Sequence, residues 1–350
     1  MTRLHVLYEH SADLRPHGCS YIRLLLPLDH PANAGHWQVT SGTDYSGGAD
    51  VVIVERMWKP DGLSLDSAEQ LVRQVRQSRA RLIYTLDDNL LDLRPPSFAQ
   101  AGVTEIQQMF VRQLLREADG VIVSTAPLAE RVRQLSLKVK VVPNAVDERL
   151  FVRRPSVAEA RSQSARMTIG FMGTFSHDAD LWMILQPLRA VLRQYQERIE
   201  LQLVGGVADA ALVRAFEGLP VRVLDVQGHS GYPAFVRWMT YNLRWDLALA
   251  PLEDTPFTRC KSDLKFLDYS ALGIPGLYSR VPVYADTVRH LETGGLADNT
   301  VEAWQEALER LVADGLLRRQ LARNAYDYVW SQRTLKQCAH QWREAIEALR

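Results

Sequence analysis

The stretch KSDLKFLDYSALGIP, residues 261–275, places two lysines and a carboxylate in a short segment that ends at Gly-Ile-Pro. Lys261, Lys265 and Asp268 are spaced i, i+4 and i+7, which predicts that they share one face of a helix. Cations near a helix start bind phosphates together with its free backbone N–H groups, and a carboxylate one turn further on can accept hydrogen bonds from ribose hydroxyls. The stretch therefore predicts a nucleoside-diphosphate site. A surface helix with a ladder of charged pairs is the alternative interpretation.

The length and composition indicate a globular protein of two domains. A chain of 350 residues exceeds one ordinary core and fits two domains of about 150 to 200 residues each. Lys plus Arg equals Asp plus Glu at 41 each, so the chain lacks the basic excess typical of nucleic-acid binding, and we expect no nucleic-acid partner. The 3 cysteines are widely spaced and odd in number, which fits neither a disulfide framework nor a zinc site and indicates a reducing compartment.

The hydrophobic pattern contains neither a signal peptide nor an apolar stretch long enough to span a bilayer. The first residues read directly as a strand. We therefore expect a cytoplasmic protein, with any membrane association peripheral and at the inner face of the membrane.

Short apolar runs rich in β-branched residues alternate with amphipathic helical patterns, which is typical of parallel α/β sheets. The predicted strands are residues 4–8, 50–54, 81–85, 120–124 and 139–142 in the first half, and 168–171, 200–204, 221–224, 246–250 and 276–279 in the second. The last part of the chain has a helical pattern. We predict two Rossmann-like domains that face a cleft, residues 1–145 and 146–330, and a C-terminal helix in residues 331–350 that packs back toward the first domain.

Three segments resemble those of one enzyme family in their order and spacing. VPNAVD (142–147) resembles an interdomain segment, IGFMGT (169–174) a first strand with its glycine loop, and residues 261–275 a donor-binding helix. The family is the GT-B glycosyltransferases, in particular the large retaining family that includes many bacterial polysaccharide and lipopolysaccharide enzymes. The resemblance implies the transfer of a sugar from a nucleoside-diphosphate sugar to the hydroxyl of a carbohydrate or other acceptor. It also implies retention of the anomeric configuration and no metal or other cofactor.

Two departures from the family pattern indicate a divergent subgroup. In the family, two glutamates eight positions apart contact the donor; the second corresponds to Asp268, but the first corresponds to Cys260, which cannot accept hydrogen bonds in the same way. Many members also have an Arg and a Lys after the glycine loop, where this chain has the sequence FSHDAD. We therefore assign the diphosphate to Lys261 and Lys265.

The glycine loop supplies further candidates for donor binding. Gly173 and Thr174 follow a strand and precede a helix, so their backbone can approach a phosphate closely, although a structural turn would also need a glycine there. His177 lies in the same loop and can donate to the phosphate or the sugar, with a helix-capping role as the alternative. We predict that Lys265, then Lys261 and the amides of Gly173 and Thr174, stabilise the leaving diphosphate.

The first domain supplies a loop that resembles the glycine-containing loop facing the donor in GT-B enzymes. This loop, PHGCSYIR (16–23), follows the first strand and leads into an apolar helix. We expect His17 and Gly18 at the cleft, and Arg23 either at the cleft or on the surface. Alternatively, Gly18 and Ser20 only form the turn and the N-cap of the helix.

Asp87 and Asp88 follow a predicted strand at its carboxyl end, where open α/β sheets place ligand groups. We expect them to bind hydroxyls of the acceptor sugar. One alternative is the metal-binding Asp cluster of the other glycosyltransferase fold. That fold has one nucleotide-binding domain, so the two-domain pattern disfavours it. The other alternative is a loop that caps the next element. In an inverting enzyme, Asp87, Asp88 or His17 would act as the base.

A second class of function remains open on the sequence alone. A protein that binds a nucleotide sugar without transferring it, or a GT-B-related sugar-nucleotide epimerase, has the same architecture. Cys260 is the feature that favours a binder without transfer. An NAD-dependent Rossmann enzyme is disfavoured, because no Gly-x-Gly-x-x-Gly follows either first strand.

Overall fold

The computed structural model describes residues 1–59, 63–93, 104–151, 166–173, 177–205, 209–226, 228–229 and 231–350. Within these ranges the chain forms two parallel six-stranded sheets, one from each half, with helices packed on their faces. The predicted fold class of two Rossmann-like α/β domains is confirmed. No helix in the described ranges has the length and apolar character needed to cross a bilayer.

The first sheet reverses its strand order beside its first strand. Its strands are β1 (Thr2–Leu7), β2 (Trp37–Gly42), β3 (Val51–Glu55), β4 (Arg81–Leu86), β5 (Gly120–Val123) and β6 (Val139–Val141), hydrogen-bonded in the order β2-β1-β3-β4-β5-β6. Strand β3 is buried along its whole length, as expected for a parallel strand covered by helices on both faces. In such sheets ligands bind beyond the carboxyl ends of the strands at the reversal, here β1 and β3.

The second sheet has the corresponding reversal at β7. Its strands are β7 (Met167–Met172), β8 (Ile199–Val204), β9 (Val221–Leu224), β10 (Leu247–Ala250), β11 (Gly276–Ser279) and β12 (Gly295–Ala297), in the order β12-β11-β10-β7-β8-β9. The expected ligand position is therefore the crevice beyond the ends of β7 and β10.

Two strands were missing from the sequence-based prediction, and both are edge strands. Strand β2 reads WQVTSG and is largely exposed beyond its first residue, so its pattern lacks the apolar run of a central strand. Strand β12 has only three residues, GLA, which carry little β propensity. Strand β2 pairs with β1, and strand β12 pairs with β11. These hydrogen bonds stabilise the two strands, whose own sequence patterns indicate a strand only weakly.

Helices alternate with the strands in both domains, as the sequence pattern predicts. In the first domain they span residues 18–28, Leu65–Gln77, Glu105–Glu117 and Ala126–Val132. In the second they are Asp178–Met183, Leu185–Gln194, Ala210–Ala215, Tyr232–Asn242, Leu264–Ala271, Pro282–Ala285, Val301–Ala313 and Gly315–Gln332, and the chain ends with Leu335–Cys338 and His340–Leu349. The helix at residues 18–28 contains a π-helical turn at Tyr21–Leu25.

The chain passes between the domains in two adjacent segments. The backbone N–H of Val146 donates to Arg333 O at 2.9 Å, and the N–H of Leu335 donates to Val146 O at 2.8 Å, so the outgoing and returning segments run side by side. After the return, the helix His340–Leu349 packs into the core of the first domain. There Leu349 fills the space beside Gly120, where a Cβ would lie only 2.6 Å from Leu349 Cδ2.

Candidate functional site in the interdomain cleft

Contacts between the domains place the two predicted ligand positions opposite each other. Lys261 Nζ of the second domain lies 3.3 Å from Asp88 Oδ1 of the first. The amide of Asn89 donates to Pro256 O at 3.1 Å. Both contacts lie beyond the carboxyl ends of β4 and β10. Strand β10 stands at the reversal of the second sheet, and β4 is the neighbour of β3, which stands at the reversal of the first.

Arg56 is the centre of the first-domain side of the cleft. It follows β3 directly, and its guanidinium contacts Glu9 at 2.8 Å, Asp87 at 3.2 Å and Asp88 at 3.1 Å. The backbone φ of Arg56 is 27°, a value that is rare outside glycine. Hydrogen bonds fix this conformation, because Arg56 O accepts from the Tyr84 hydroxyl at 2.8 Å. Sequence analysis missed Arg56 and Glu9, although both stand at the carboxyl ends of strands, as Asp87 does.

The carboxylates around Arg56 differ in their protonation behaviour. Burial alone would raise the pKa of Glu9, but Arg56 and His17 lower it to about 2. Burial and the charge of Glu9 raise the pKa of Glu55 to about 7. One oxygen of Glu55 accepts from Ser20 Oγ at 2.5 Å and from the Glu9 N–H at 2.8 Å, whereas its Oε1 is buried without a hydrogen-bond partner among the residues described.

Asp87 and Asp88 both contact Arg56, and Asp88 also contacts Lys261, but the two carboxylates form an unequal pair. Burial raises the pKa of Asp87, and the charge of Asp88 adds to that rise. Burial alone would also raise the pKa of Asp88, but Lys261 and Arg56 lower it below the usual value. Asp88 is therefore the stronger acid of the pair. A guanidinium and an ammonium supply the positive charge at this pair.

The residues of the loop after β1 have different positions. His17 lies 3.4 Å from Glu9 and so joins the Arg56 network. Gly18 faces the second domain, because a Cβ there would lie 3.9 Å from Tyr232 Cβ. The side chain of His17 does not cap the helix. Ser20 lies within the helix and donates to Glu9 O and to Glu55, so the alternative in which Ser20 is the N-cap is wrong.

Arg23 is neither at the cleft nor on the surface, so that prediction is wrong. Its side chain is 2% exposed, and its Nη1 donates to Val142 O and to Asn144 Oδ1, both at 2.7 Å. The guanidinium also lies 5.0 Å from the ring centroid of Trp342 in the C-terminal helix. Burial lowers the pKa of Arg23 to about 10. Arg23 thus stabilises the interdomain segment.

The two lysines approach the cleft from different elements, so the predicted shared helical face is wrong. The helix begins at Leu264; we call Leu264–Ala271 the lysine helix. Lys261 precedes it with extended ψ of 164°, after a 3-10 turn at Thr258–Cys260, and this extended residue separates the two helical segments. The two charges nevertheless interact, because Lys261 contributes to lowering the pKa of Lys265.

Lys265 lies in the first turn of the lysine helix and carries a buried ammonium group. Its Nζ has no hydrogen-bond partner within the described part of the chain and lies 5.2 Å from the ring centroid of Phe171. Burial, followed by the charge of Lys261, lowers its pKa to about 8. A buried cation without a hydrogen-bond partner is unfavourable, so an anion that contacted Nζ would be bound strongly.

The glycine loop after β7 departs from the prediction in one respect. The Gly173 N–H donates to Val204 O at 3.0 Å, so this amide belongs to the sheet and is not available to a phosphate. Thr174 lies outside the described residues. His177 Nδ1 is 2.7 Å from Asp180 Oδ2, and the charge of Lys265, followed by burial, lowers the pKa of His177. His177 therefore lies close to Lys265 as a neutral imidazole at pH 7.

Asp268 points into the second domain from the lysine helix. It is 3% exposed, and the Tyr232 hydroxyl donates to its Oδ1 at 3.2 Å. Burial raises the pKa of Asp268 to about 7. Because Tyr232 also lies beside Gly18, Asp268 and the loop of the first domain contact the same tyrosine.

Cys260 stands where the resemblance described above places a donor-binding glutamate. Its side chain is buried in the apolar cluster of the first domain, together with Leu90 and Leu128, and burial raises the pKa of its thiol to about 11. Its carbonyl accepts from Thr125 Oγ1 at 2.8 Å. The side chain at this position is therefore directed into the first domain and away from the cleft.

One group with spacing suitable for a metal lies away from the cleft, among the residues that the structure describes: His30, Asp147 and Glu148. His30 Nδ1 accepts from the Ala32 N–H at 3.1 Å, so the ring proton is on Nε2, which donates to Glu148 Oε1 at 3.0 Å. Asp147 is paired with Arg149 at 2.6 Å. These atoms already have partners, and the group stabilises the start of the second domain.

The protein has the GT-B fold. Its two Rossmann-like domains face each other, one segment of the chain leads from the first domain to the second, and the C-terminal segment leads back to the first. Sucrose-phosphate synthase from Thermosynechococcus elongatus is similar over 100% of this chain and 99% of its own, with 18% identity and a TM-score of 0.70. Anabaena HepE in complex with UDP-glucose is similar over 99% of this chain and 100% of its own, with 15% identity and a TM-score of 0.67.

A third solved structure, a variant of S. aureus TarM with UDP, is similar over 84% of this chain and 55% of its own, with 11% identity and a TM-score of 0.61. No protein-family model and no curated protein sequence matches the chain. At these identities the similarity confirms the GT-B fold, and the activity has to be argued from the site.

Proposed function

We propose that the protein is a glycosyltransferase that moves a sugar from a nucleoside-diphosphate sugar to an acceptor hydroxyl. The observation that carries this proposal is the buried ammonium of Lys265, which lacks a hydrogen-bond partner in the described residues and lies close to Lys261 and His177. These groups stand beyond the ends of β7 and β10, at the reversal of strand order. A solved structure of the same fold, HepE, holds UDP-glucose.

The lysine helix would bind the nucleotide part of the donor. Lys265 and Lys261 contact the diphosphate. His177 shares its Nδ1 proton with Asp180, so it donates to a phosphate oxygen only once the charge of the bound phosphate has also protonated Nε2. Asp268 accepts hydrogen bonds from the ribose hydroxyls once Tyr232 has shifted, and it becomes ionised as the ribose supplies donors to it.

The two lysines would also lower the barrier of the reaction. As the bond between the anomeric carbon and the diphosphate oxygen breaks, negative charge develops on the diphosphate, and fixed cations in a site shielded from water stabilise it. The acceptor oxygen forms the new bond to the anomeric carbon on the same face, and its proton passes to the departing phosphate. Transfer is then retaining, needs no protein nucleophile, and uses lysine cations in place of a metal ion.

The acceptor would enter against the first domain. Asp87 and His17 face the cleft there and can bind hydroxyls of a glycan or glycolipid. Were transfer inverting, Asp87, whose pKa is raised by burial, would be the candidate base. We place this activity in polysaccharide biosynthesis in the cytoplasm, with peripheral contact to the membrane where the acceptor is a lipid.

A binder that does not transfer, or a sugar-nucleotide epimerase, is the second candidate function. The burial of Cys260 favours it, because the carboxylate that contacts the donor sugar in the family is absent at that position. A donor-hydrolysis assay separates the candidates. A transferase releases sugar slowly to water in the absence of an acceptor, whereas a binder leaves the sugar nucleotide intact.

The proposal is tested by thermal stabilisation with a panel of nucleoside diphosphates and their sugars. We expect one nucleotide to raise the melting temperature of the wild-type protein, and Lys265→Ala and Asp268→Ala to abolish that rise. Lys140→Ala, an exposed lysine on β6, is the matched control and keeps it. If no nucleotide stabilises the wild-type protein, the proposal is wrong.

A further inference from the structure

Position 260 of the second domain, where the resemblance places a carboxylate for the transferred sugar, carries a cysteine that is buried against the first domain. The side chain at position 260 packs among Leu90, Leu128 and other apolar residues of the first domain. Replacing it with a longer acidic side chain would bury a charge in this cluster, which is costly without a partner. Any carboxylate that binds the sugar must therefore come from another element.

Asp88 stands where such a carboxylate is needed. Its Oδ1 lies 3.3 Å from Lys261 Nζ, the ammonium group assigned to the diphosphate. A phosphate oxygen bound to the same ammonium would lie about 3 Å from it, and so at most about 6 Å from the Asp88 oxygen. A sugar attached to that phosphate would therefore have Asp88 within reach.

The orientation of Asp88 is fixed from its other side. Its Oδ2 lies 3.1 Å from Arg56 Nη1, and Arg56 is held in turn by Glu9 and by Asp87. The side chain of Asp88 is 23% exposed, so it is held in place and still faces the cleft. A carboxylate has about four acceptor positions, and the contacts with Arg56 and Lys261 leave others for hydroxyl donors.

We propose that Asp88 binds a hydroxyl of the transferred sugar from the first domain, in place of the carboxylate that position 260 does not present, and that Arg56 is its positioning residue. This assignment rests on the proposed function. It makes Asp88 a determinant of sugar specificity, because a site built to accept a hydrogen bond from a hydroxyl discriminates strongly against a sugar that lacks that hydroxyl.

The test compares the affinity for a nucleoside diphosphate with that for its sugar conjugate, by titration calorimetry with UDP and UDP-glucose and with any other pair identified by the panel. In Asp88→Ala we expect affinity for the sugar nucleotide to fall about 10-fold relative to the wild type, since a hydrogen bond to a charged group is lost. Affinity for the nucleoside diphosphate stays equal or rises, because Lys261 loses a competing partner. Arg56→Lys is expected to change the same ratio in the same direction and by less.

Two further variants separate this effect from a general loss of structure. Asp88→Asn keeps the shape of the side chain and is expected to lie between the wild type and Asp88→Ala. Glu130→Ala removes an exposed carboxylate of the same domain and should leave both affinities unchanged.

An equal loss of affinity for both ligands in Asp88→Ala, or an unchanged ratio, would overturn the assignment and leave the proposed function standing. If the wild-type protein binds no member of the panel, the proposed function fails and the assignment fails with it. A ratio that falls in Glu130→Ala as well would show that it reflects total charge, and would also overturn the assignment.

Discussion

Arg56 joins three carboxylates to one guanidinium while its backbone has a φ of 27°. A non-glycine residue in such a conformation costs about 1 to 3 kcal/mol and persists only where its surroundings fix it. Here the ion pairs and the hydrogen bond from Tyr84 do so. Strain held in this way is typical of functional sites, and it orients the network toward the cleft.

The sequence alone predicted Asp87 and Asp88 at the cleft but not Arg56 or Glu9. The rule that places ligand groups at the carboxyl ends of strands applies equally to the ends of β1 and β3. Two adjacent aspartates after a strand form a local pattern, whereas a single Glu or Arg in that position does not. The burial of Arg23, by contrast, depends on partners more than a hundred positions away in the sequence, and no local pattern indicates them.

The raised pKa of Glu55 predicts a pH dependence of stability. Burial and the charge of Glu9 move this pKa from 4.5 to about 7, so the folded state retains a proton that the unfolded state has already lost. The contribution of Glu55 to stability is therefore full below pH 4.5 and is lost as the pH rises to 7, by about 3 kcal/mol. We expect Glu55→Gln, measured by urea unfolding, to be more stable relative to the wild type at pH 8 than at pH 5.

The comparison has a matched control. Glu130→Gln changes an exposed carboxylate of the same domain and should shift stability equally at both pH values. A difference between Glu55→Gln and the wild type that is the same at pH 5 and pH 8 would show that Glu55 is ionised in the folded protein.

Among the structural elements, the lysine helix shows how far a local pattern can be trusted. The sequence predicted a helix that ends at Gly-Ile-Pro and carries Lys265 and Asp268, and the structure contains it. The sequence pattern also predicted Lys261 on the same helix, but the backbone is extended at that residue. Asp263, the residue just before the helix, forms an ion pair at 2.9 Å with Arg333, which lies far along the sequence. Spacing cannot predict such a contact.

The 3-10 turn at Thr258–Cys260 leads to a prediction about the missing glutamate. Cys260→Glu places a carboxylate in the apolar cluster of the first domain, which is expected to cost about 2 to 5 kcal/mol in unfolding free energy. It should bring no gain in affinity for a sugar nucleotide. Chemical denaturation and titration calorimetry measure the two quantities.

Cys260→Ala serves as the control, because it removes the thiol without adding a charge. Its loss of stability should be smaller. A Cys260→Glu variant that is as stable as Cys260→Ala and binds the sugar nucleotide more tightly would show that the turn can rotate toward the cleft, and the prediction would be wrong.

On the scale of the whole molecule, two chain crossings join the domains, and the segment from Pro256 to Lys261 closes the cleft. An interface between two domains of one chain resembles that of a transient complex. A few polar contacts across it therefore influence whether the cleft between the domains opens. Two such contacts are Lys261 with Asp88 and Asn89 with Pro256. We expect the double variant Lys261→Met with Asn89→Ala to have a larger radius of gyration without ligand than the wild type, measured by small-angle X-ray scattering.

The matched control is Asn324→Ala, which removes a hydrogen bond to Glu292 O on the surface of the second domain and should leave the radius unchanged. Equal radii for the wild type and the double variant would mean that these two contacts do not hold the domains together, and the prediction would be wrong.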